Sequence, residues 1–165
     1  DSAGNPVSNV FTGNTRLGIL DAVWKWAPNG NSTRTSLTLQ GEYFRRLESG
    51  SLVYDEGGQA LADSFRSAQS GWYAQAVYKF LPEWQVGLRY DRLDVGNVNA
   101  SSNTANLYLP SYSPNRTTLM FDWAPSEYSR VRLQLAQDRA RYGLTDNQIM
   151  IQYMMSLGSH GAHGY

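Results

Sequence analysis

The chain has no cysteine among its 165 residues. That excludes a disulfide framework and any thiolate metal site. Histidine is nearly as scarce, with two in all. Both, His160 and His163, fall at the very end of the chain. A serine hydrolase needs a histidine beside its nucleophile, so none is supplied from the body of the sequence, and no enzymatic activity is expected. Neither charge is in surplus, with 14 Lys and Arg against 14 Asp and Glu. A net-neutral chain has no general basic surface for nucleic acid, so nucleic acid is not expected as a partner. No Gly-rich loop follows a strand to open a helix, so nucleotide binding has no support, and no cofactor is expected. Long hydrophobic runs are also missing. Mean hydropathy is −0.48, and nothing approaches the roughly 20 apolar residues of a membrane helix.

What is present is alternation. Seven segments carry the period-two pattern of half-buried strands: 16–26, 35–46, 71–80, 84–92, 117–123, 129–138 and one from 147 onward. In the third, Trp72, Ala74, Ala76, Tyr78 and Phe80 oppose Tyr73, Gln75 and Lys79. In the sixth, Val131, Leu133 and Leu135 oppose Arg130, Arg132 and Gln134, and in the last Ile149, Ile151, Tyr153 and Met155 oppose Gln148 and Gln152. The first is less clean, because Leu17 and Ile19 share a face with Asp21 and Lys25.

The joins between segments alternate in length. Those at 27–33, 81–83 and 124–128 are short, whereas 47–70 and 93–116 are long and polar. Each short join follows an aromatic and contains proline: Trp26-Ala27-Pro28, Phe80-Leu81-Pro82 and Trp123-Ala124-Pro125. Proline presets φ for turn initiation. Trp24, Trp26, Tyr78, Phe80, Trp84 and Trp123 would then band one end of the sheet, with Tyr43, Phe44, Tyr90 and Tyr142 near the other. Short turns at one end, long loops at the other and aromatic girdles at headgroup depth describe a transmembrane β-barrel. The expected fold class is therefore all-β, an antiparallel up-and-down transmembrane barrel in a bacterial outer membrane, with the lipid bilayer as its first partner. A soluble β-domain that stacks carbohydrate on its aromatics is the competing reading, and it predicts solubility without detergent.

Parity adds an expectation. The first strand ends at a short turn and so begins on the long-loop side, which makes residues 1–14 a loop or partial strand. Barrels of this kind normally have an even strand count with both termini on the short-turn side. Seven strands are thus expected to belong to a larger barrel, completed by missing strands or by an oligomer partner, unless they close as an unusual odd barrel; the alternative makes Val7–Thr12 an eighth strand of a small closed barrel. As a layout, 1–165 forms one segment, with strands over 15–157 and a Gly/His tail over 158–165.

Several stretches resemble known sequences. These are Trp72-Tyr73-Ala74-Gln75-Ala76-Val77-Tyr78, Val86-Gly87-Leu88-Arg89-Tyr90-Asp91-Arg92-Leu93, Pro125-Ser126-Glu127-Tyr128-Ser129-Arg130-Val131-Arg132-Leu133-Gln134 and the C-terminal segment from Asn147 to Tyr165. They are similar to the C-terminal portions of proteobacterial outer-membrane β-barrels of the porin-like or TonB-dependent-receptor-like kind. The resemblance covers most of residues 71–165 and contains no chemically specific motif. It implies a large barrel that passes or binds a small solute. It also implies that Tyr165, a terminal aromatic, is read by the barrel-assembly machinery, although the Gly-Ser-His-Gly-Ala-His-Gly stretch before it interrupts the alternation.

The polar faces carry the functional expectation. Asp21, Lys25, Glu42, Arg46, Lys79, Arg89, Asp91, Asp122, Arg130, Arg132 and Asp138 should point into the lumen, where charge sets ion selectivity. Arg89, Arg130 and Arg132 suit a basic ladder for anions. Cross-strand pairing that merely fills the interior is the commoner use of such charges. His160-x-x-His163 has the ligand type for a divalent metal but supplies only two ligands, and a flexible polar tail is the plainer reading. Three functions follow in order: porin-like diffusion of small hydrophilic solutes or ions; a non-conducting structural or binding barrel acting through its loops; part of a TonB-dependent metal-uptake receptor. No plug sequence or TonB box is recognisable.

Overall fold

A computed structural model describes residues 7–107 and 111–156. Seven strands dominate it: β1 Val7–Trp26, β2 Ser36–Glu56, β3 Leu61–Leu81, β4 Trp84–Asn99, β5 Asn115–Ser126, β6 Ser129–Arg139 and β7 Asp146–Met155. They form one antiparallel sheet in chain order, β1 to β7. Helix is confined to 3-10 pieces at Pro28–Gly30 and Ser101–Asn106. Among the described residues no helix is long and apolar enough to cross a membrane, a test that does not bear on strands. β1 and β7 stand at opposite ends of the strand order, so these seven strands do not close into a barrel by themselves.

The chain divides into two compact units. One takes in β1 up to Asp21, Glu42–Tyr73 and Asp91–Pro114; the other takes in Ala22–Gly41, Ala74–Tyr90 and the chain from Asn115.

In the second unit the alternation read from the sequence becomes a physical grid. β5, β6 and β7 pair so that Leu119, Leu135 and Ile149 form one row, Phe121, Leu133 and Ile151 the next, and Trp123, Val131 and Tyr153 a third. Successive side chains on a strand point to opposite faces, so the intervening rows carry the charges, with one row in which Met120 and Met150 flank Gln134. They run Arg116, Asp138, Asp146; Thr118, Ala136, Gln148; Met120, Gln134, Met150; and Asp122, Arg132, Gln152. The apolar rows are not a protein core. Ile149 and Ile151 are each 75% exposed, and Leu88, Phe121, Trp123, Leu135 and Tyr153 are exposed as well. Among the described residues the buried hydrophobic side chains are Leu52, Ala100 and Ala136. An apolar face of this extent left uncovered marks an interaction surface in most proteins.

The proline-containing joins are tight. Pro82 and Glu83 separate β3 from β4, and Glu127 and Tyr128 separate β5 from β6. The Ala124 amide donates to the Glu83 carbonyl at 2.8 Å, tying one turn to the other. The first join turns through Asn29 and Gly30, both at positive φ. The Asn31 carboxamide oxygen then accepts from the Thr33 amide at 2.9 Å and its hydroxyl at 2.6 Å. Asn is suited to both jobs, since it tolerates left-handed backbone and caps its own turn.

The first unit departs from the expected boundaries. β1 begins at Val7, so the described part of 1–14 is strand rather than loop. It continues into Arg16–Trp26 and does not form a separate eighth strand. β2 runs on to Glu56 and β3 begins at Leu61, which turns the expected loop 47–70 into a long hairpin. β4 likewise extends to Asn99. Period-two patterning appears only where the two faces meet different environments, and in these extensions apolar residues such as Phe11, Leu52 and Phe65 are interspersed with polar and small ones without strict alternation. Backbone pairing holds them together with local apolar contacts, among them the edge-on rings of Phe11 and Phe65 at 5.4 Å. At Gly13 and Gly50 the strands approach so closely that a Cβ at Gly50 would lie 2.6 Å from the Gly13 Cα. The hairpin turn is capped by Asp55, whose Oδ1 accepts from the Gly58 and Ala60 amides at 2.9 and 3.3 Å. Gly57, Gly58 and Ala60 all take positive φ there.

Candidate functional site

Asp122 is the centre of the most ordered charge cluster in the second unit. It lies on β5 and is 1% exposed. Pairing sets it directly opposite Arg132 on β6. The guanidinium of Arg132 grips the carboxylate with both arms, Nε donating to Oδ1 at 2.7 Å and NH2 to Oδ2 at 2.9 Å. Bidentate pairing of this kind is geometrically specific and stronger than a neutral hydrogen bond. The side-chain amide of Gln85 on β4 donates to Oδ2 at 2.7 Å. Arg130, two residues from Arg132 and hence on the same face, approaches Oδ2 to 3.9 Å. One carboxylate thus faces two guanidinium groups. Arg132 is 25% and Arg130 44% exposed, so the cluster is wet on one side.

Beside it lies a cleft of about 200 Å³, bordered among others by Gln75, Gln85, Arg89, Thr118, Arg132 and Gln134. No carboxylate borders it. Gly87 leaves the space that the Met120 side chain occupies, since a Cβ there would lie 3.0 Å from the Met120 Cε.

At the other end of β5 the balance is reversed. Arg116 pairs with Asp138 at 3.7 Å and donates to the Gln148 carboxamide at 3.0 Å. Asp146 stands opposite Asp138 and accepts from the Gln148 amide at 2.8 Å. This row sets one cation, Arg116, alongside two carboxylates, Asp138 and Asp146.

Of the charged residues named from the sequence, the structure brings Asp122, Arg130 and Arg132 together, and gives Asp138 the partner Arg116. Arg46 instead pairs with its strand neighbour Glu48, which also accepts from the Thr15 hydroxyl at 3.4 Å. Arg89 and Asp91 each engage neighbours. Asp21 and Lys25 lie on β1, Glu42 on β2 and Lys79 on β3. The six aromatics Trp24, Trp26, Tyr78, Phe80, Trp84 and Trp123 are all exposed. Trp84 and Trp123 stack at 5.8 Å, and Tyr78 and Phe80 lie 6.4 Å apart. His160, His163 and Tyr165 lie outside the described residues. Among the described residues no three His, Cys, Asp or Glu side chains gather as metal ligands.

A second constellation, in the first unit, has no counterpart in the sequence reading. Asn103 of the 3-10 helix is 0% exposed and donates to the Leu61 carbonyl at 2.9 Å and the Leu52 carbonyl at 3.4 Å. Asp63 on β3 accepts from the Ser102 amide at 3.1 Å and hydroxyl at 2.5 Å, and from the Ser64 amide at 2.6 Å. Ser64 meets Ser101 at 2.7 Å. The β4–β5 connection is thereby fastened to the β2–β3 hairpin. The Ser102 hydrogen bonds, then those from the Ser64 amide, hold the Asp63 carboxyl below its ordinary pKa. Tyr54, which donates to Glu56 at 2.9 Å, is raised above its usual value by that bond and by the adjacent charge. A Ser-Ser-Asn run after a strand was the available signal, but many solvated loops share it.

No protein-family model matches the chain, and no solved structure matches it. It is 29% identical over 163 residues to an uncharacterized protein of Aquifex aeolicus (strain VF5), an alignment covering 95% of this chain. The chain spans 32% of the length of that relative.

Proposed function

We propose that this sheet is part of the wall of an outer-membrane β-barrel through which small hydrophilic solutes or ions diffuse. One observation carries the reading: an apolar face that runs in register across β5 to β7, with exposed apolar side chains on β3 and β4 as well, backs a face that holds the paired charges. In water such a face would be a large liability, whereas in lipid it is the required surface. The proposed interfacial aromatics support the same view, since Trp and Tyr favour headgroup depth, and those named here cluster by the tight turns.

Lipid leaves no open sheet edge unpaired. β1 and β7 must therefore find partners, in further strands of a longer polypeptide or in another subunit. The greater length of the Aquifex aeolicus relative supports further strands. Lumen width depends on strand number, and a larger barrel leaves the polar face lining water. The resemblance to porin-like and TonB-dependent-receptor-like barrels points the same way.

The test is reconstitution of the full-length native protein, extracted in detergent from outer membranes, into planar bilayers. Discrete current steps support passive passage. A heat-modifiable barrel that carries no current favours the structural or binding reading instead. A protein that is soluble and monomeric without detergent removes the membrane reading altogether.

A further inference from the structure

We infer that Arg130 is the residue that gives the proposed channel a preference for small anions, and that Asp122 is a masked acid. The inference rests on the diffusion reading above and deepens it. Asp122 is nearly inaccessible and its charge is directly matched by Arg132 at 2.7 and 2.9 Å. Arg130, at 3.9 Å and 44% exposed, is the second cation on that one carboxylate. The cluster carries one net positive charge, and Arg130 faces a separate open cavity of about 390 Å³ that Glu127 also borders, while the cleft of about 200 Å³ beside the cluster is lined by Arg89 and Arg132 among amides and the apolar Val77, Leu88 and Met120. A half-exposed guanidinium in excess over the one carboxylate it faces suits a small inorganic anion or a carboxylate-bearing solute.

The acidic row at the far end of β5 opposes this. Asp138 and Asp146 lie six residues along the strand from the Asp122 row, about 20 Å at strand rise. That exceeds a Debye length at physiological salt. Asp146 is exposed, and Arg139 and Arg141 lie close to the row in the chain. Water therefore screens the acidic row more than the Asp122 cluster, where three strands surround the carboxylate.

A charge series tests this through the anion-to-cation permeability ratio, measured from reversal potentials across a KCl gradient with the full-length protein in planar bilayers. Local charge is +2 for Asp122→Asn, +1 for the native cluster, 0 for Arg130→Gln and −1 for Arg130→Glu. The ratio should fall along that order, because each unit of charge shifts anion and cation in opposite senses by about fivefold apiece at contact distance. Arg132→Gln should lower it as much as Arg130→Gln, because it unmasks Asp122. Arg130 makes no tight bond, so its variants retain the paired core even where Asp122→Asn or Arg132→Gln does not assemble. A conducting channel whose ratio is unchanged across the Arg130 series overturns the assignment and leaves the channel reading intact. Absence of conductance in the native protein overturns both.

Discussion

Replacing Asn103 with alanine should release the β4–β5 connection without unfolding the sheet. Its carboxamide is buried and donates to the Leu61 carbonyl at 2.9 Å and the Leu52 carbonyl at 3.4 Å, while its oxygen accepts from Asn106 at 3.4 Å. Only the 2.9 Å bond is of ordinary length. Alanine removes the donor and strands a carbonyl away from water, which costs about 1–3 kcal/mol. The cost falls on the local opening of the 3-10 helix, since β5 to β7 share none of these bonds. At about 1.4 kcal/mol per factor of ten, amide exchange over Ser101–Asn106 should quicken by roughly 5- to 150-fold. The Asn103 amide, which donates to the Ala100 carbonyl at 3.0 Å, is the most direct reporter. Hydrogen exchange read by mass spectrometry on the reconstituted protein measures this, with β6 peptides as the internal standard. Unchanged exchange in the connection would refute the reasoning, as would equal acceleration in β6. In either case the buried carboxamide would not be what fastens the segment.

The same fastening should weaken in acid. Asp63 is held below its ordinary pKa by Ser102 and Ser64, so its contribution is complete above about pH 4 and is lost as pH falls through the depressed folded value. Protection of Ser101–Asn106 relative to β6 should decline there, and Asp63→Asn should abolish the pH dependence. Asp122→Ala should lower stability by about 1–3 kcal/mol, less than a fully buried pair would lose because both arginines reach water. Arg132→Ala on that background should cost little more, a non-additivity that urea unfolding followed by tryptophan fluorescence can resolve. On the proposed orientation Ile151→Arg should cost about 2–4 kcal/mol of folding into vesicles, whereas Gln152→Arg, one residue away on the other face, should be tolerated. Equal tolerance of both would contradict the assignment of faces to lipid and lumen.

Legibility in the sequence followed environment. Where one face is apolar and the other polar, as in Val131 to Leu135 against Arg130 to Gln134, the strands and their faces could be read directly, and register then placed Asp122 against Arg132. Where both faces are polar, around Ser49 to Ser51, or where apolar residues fall on both, as with Val95 and Val98, alternation carries no signal and the strands read as loop. Asp55-Glu56-Gly57-Gly58 is legible only as solvated charge, although Asp55 caps the hairpin. Asn103 lies 42 residues from Leu61, and no local pattern announces a contact between residues so far apart in the chain.

The two charged rows of β5 and β6 also work as a vernier. A one-residue slip would turn every side chain to the wrong face, so the apolar pattern alone forbids it. A two-residue slip keeps the faces, and Asp122 would still meet an arginine, because Arg130 and Arg132 share its side. Arg116 breaks that degeneracy. Its partner Asp138 holds the matching place in the same register, and the slip that offers Asp122 to Arg130 moves Arg116 opposite Ala136. Two marks six residues apart on each strand thus specify one alignment where Asp122 alone would accept two, and the strand pair can reject its nearest error before the next strand arrives.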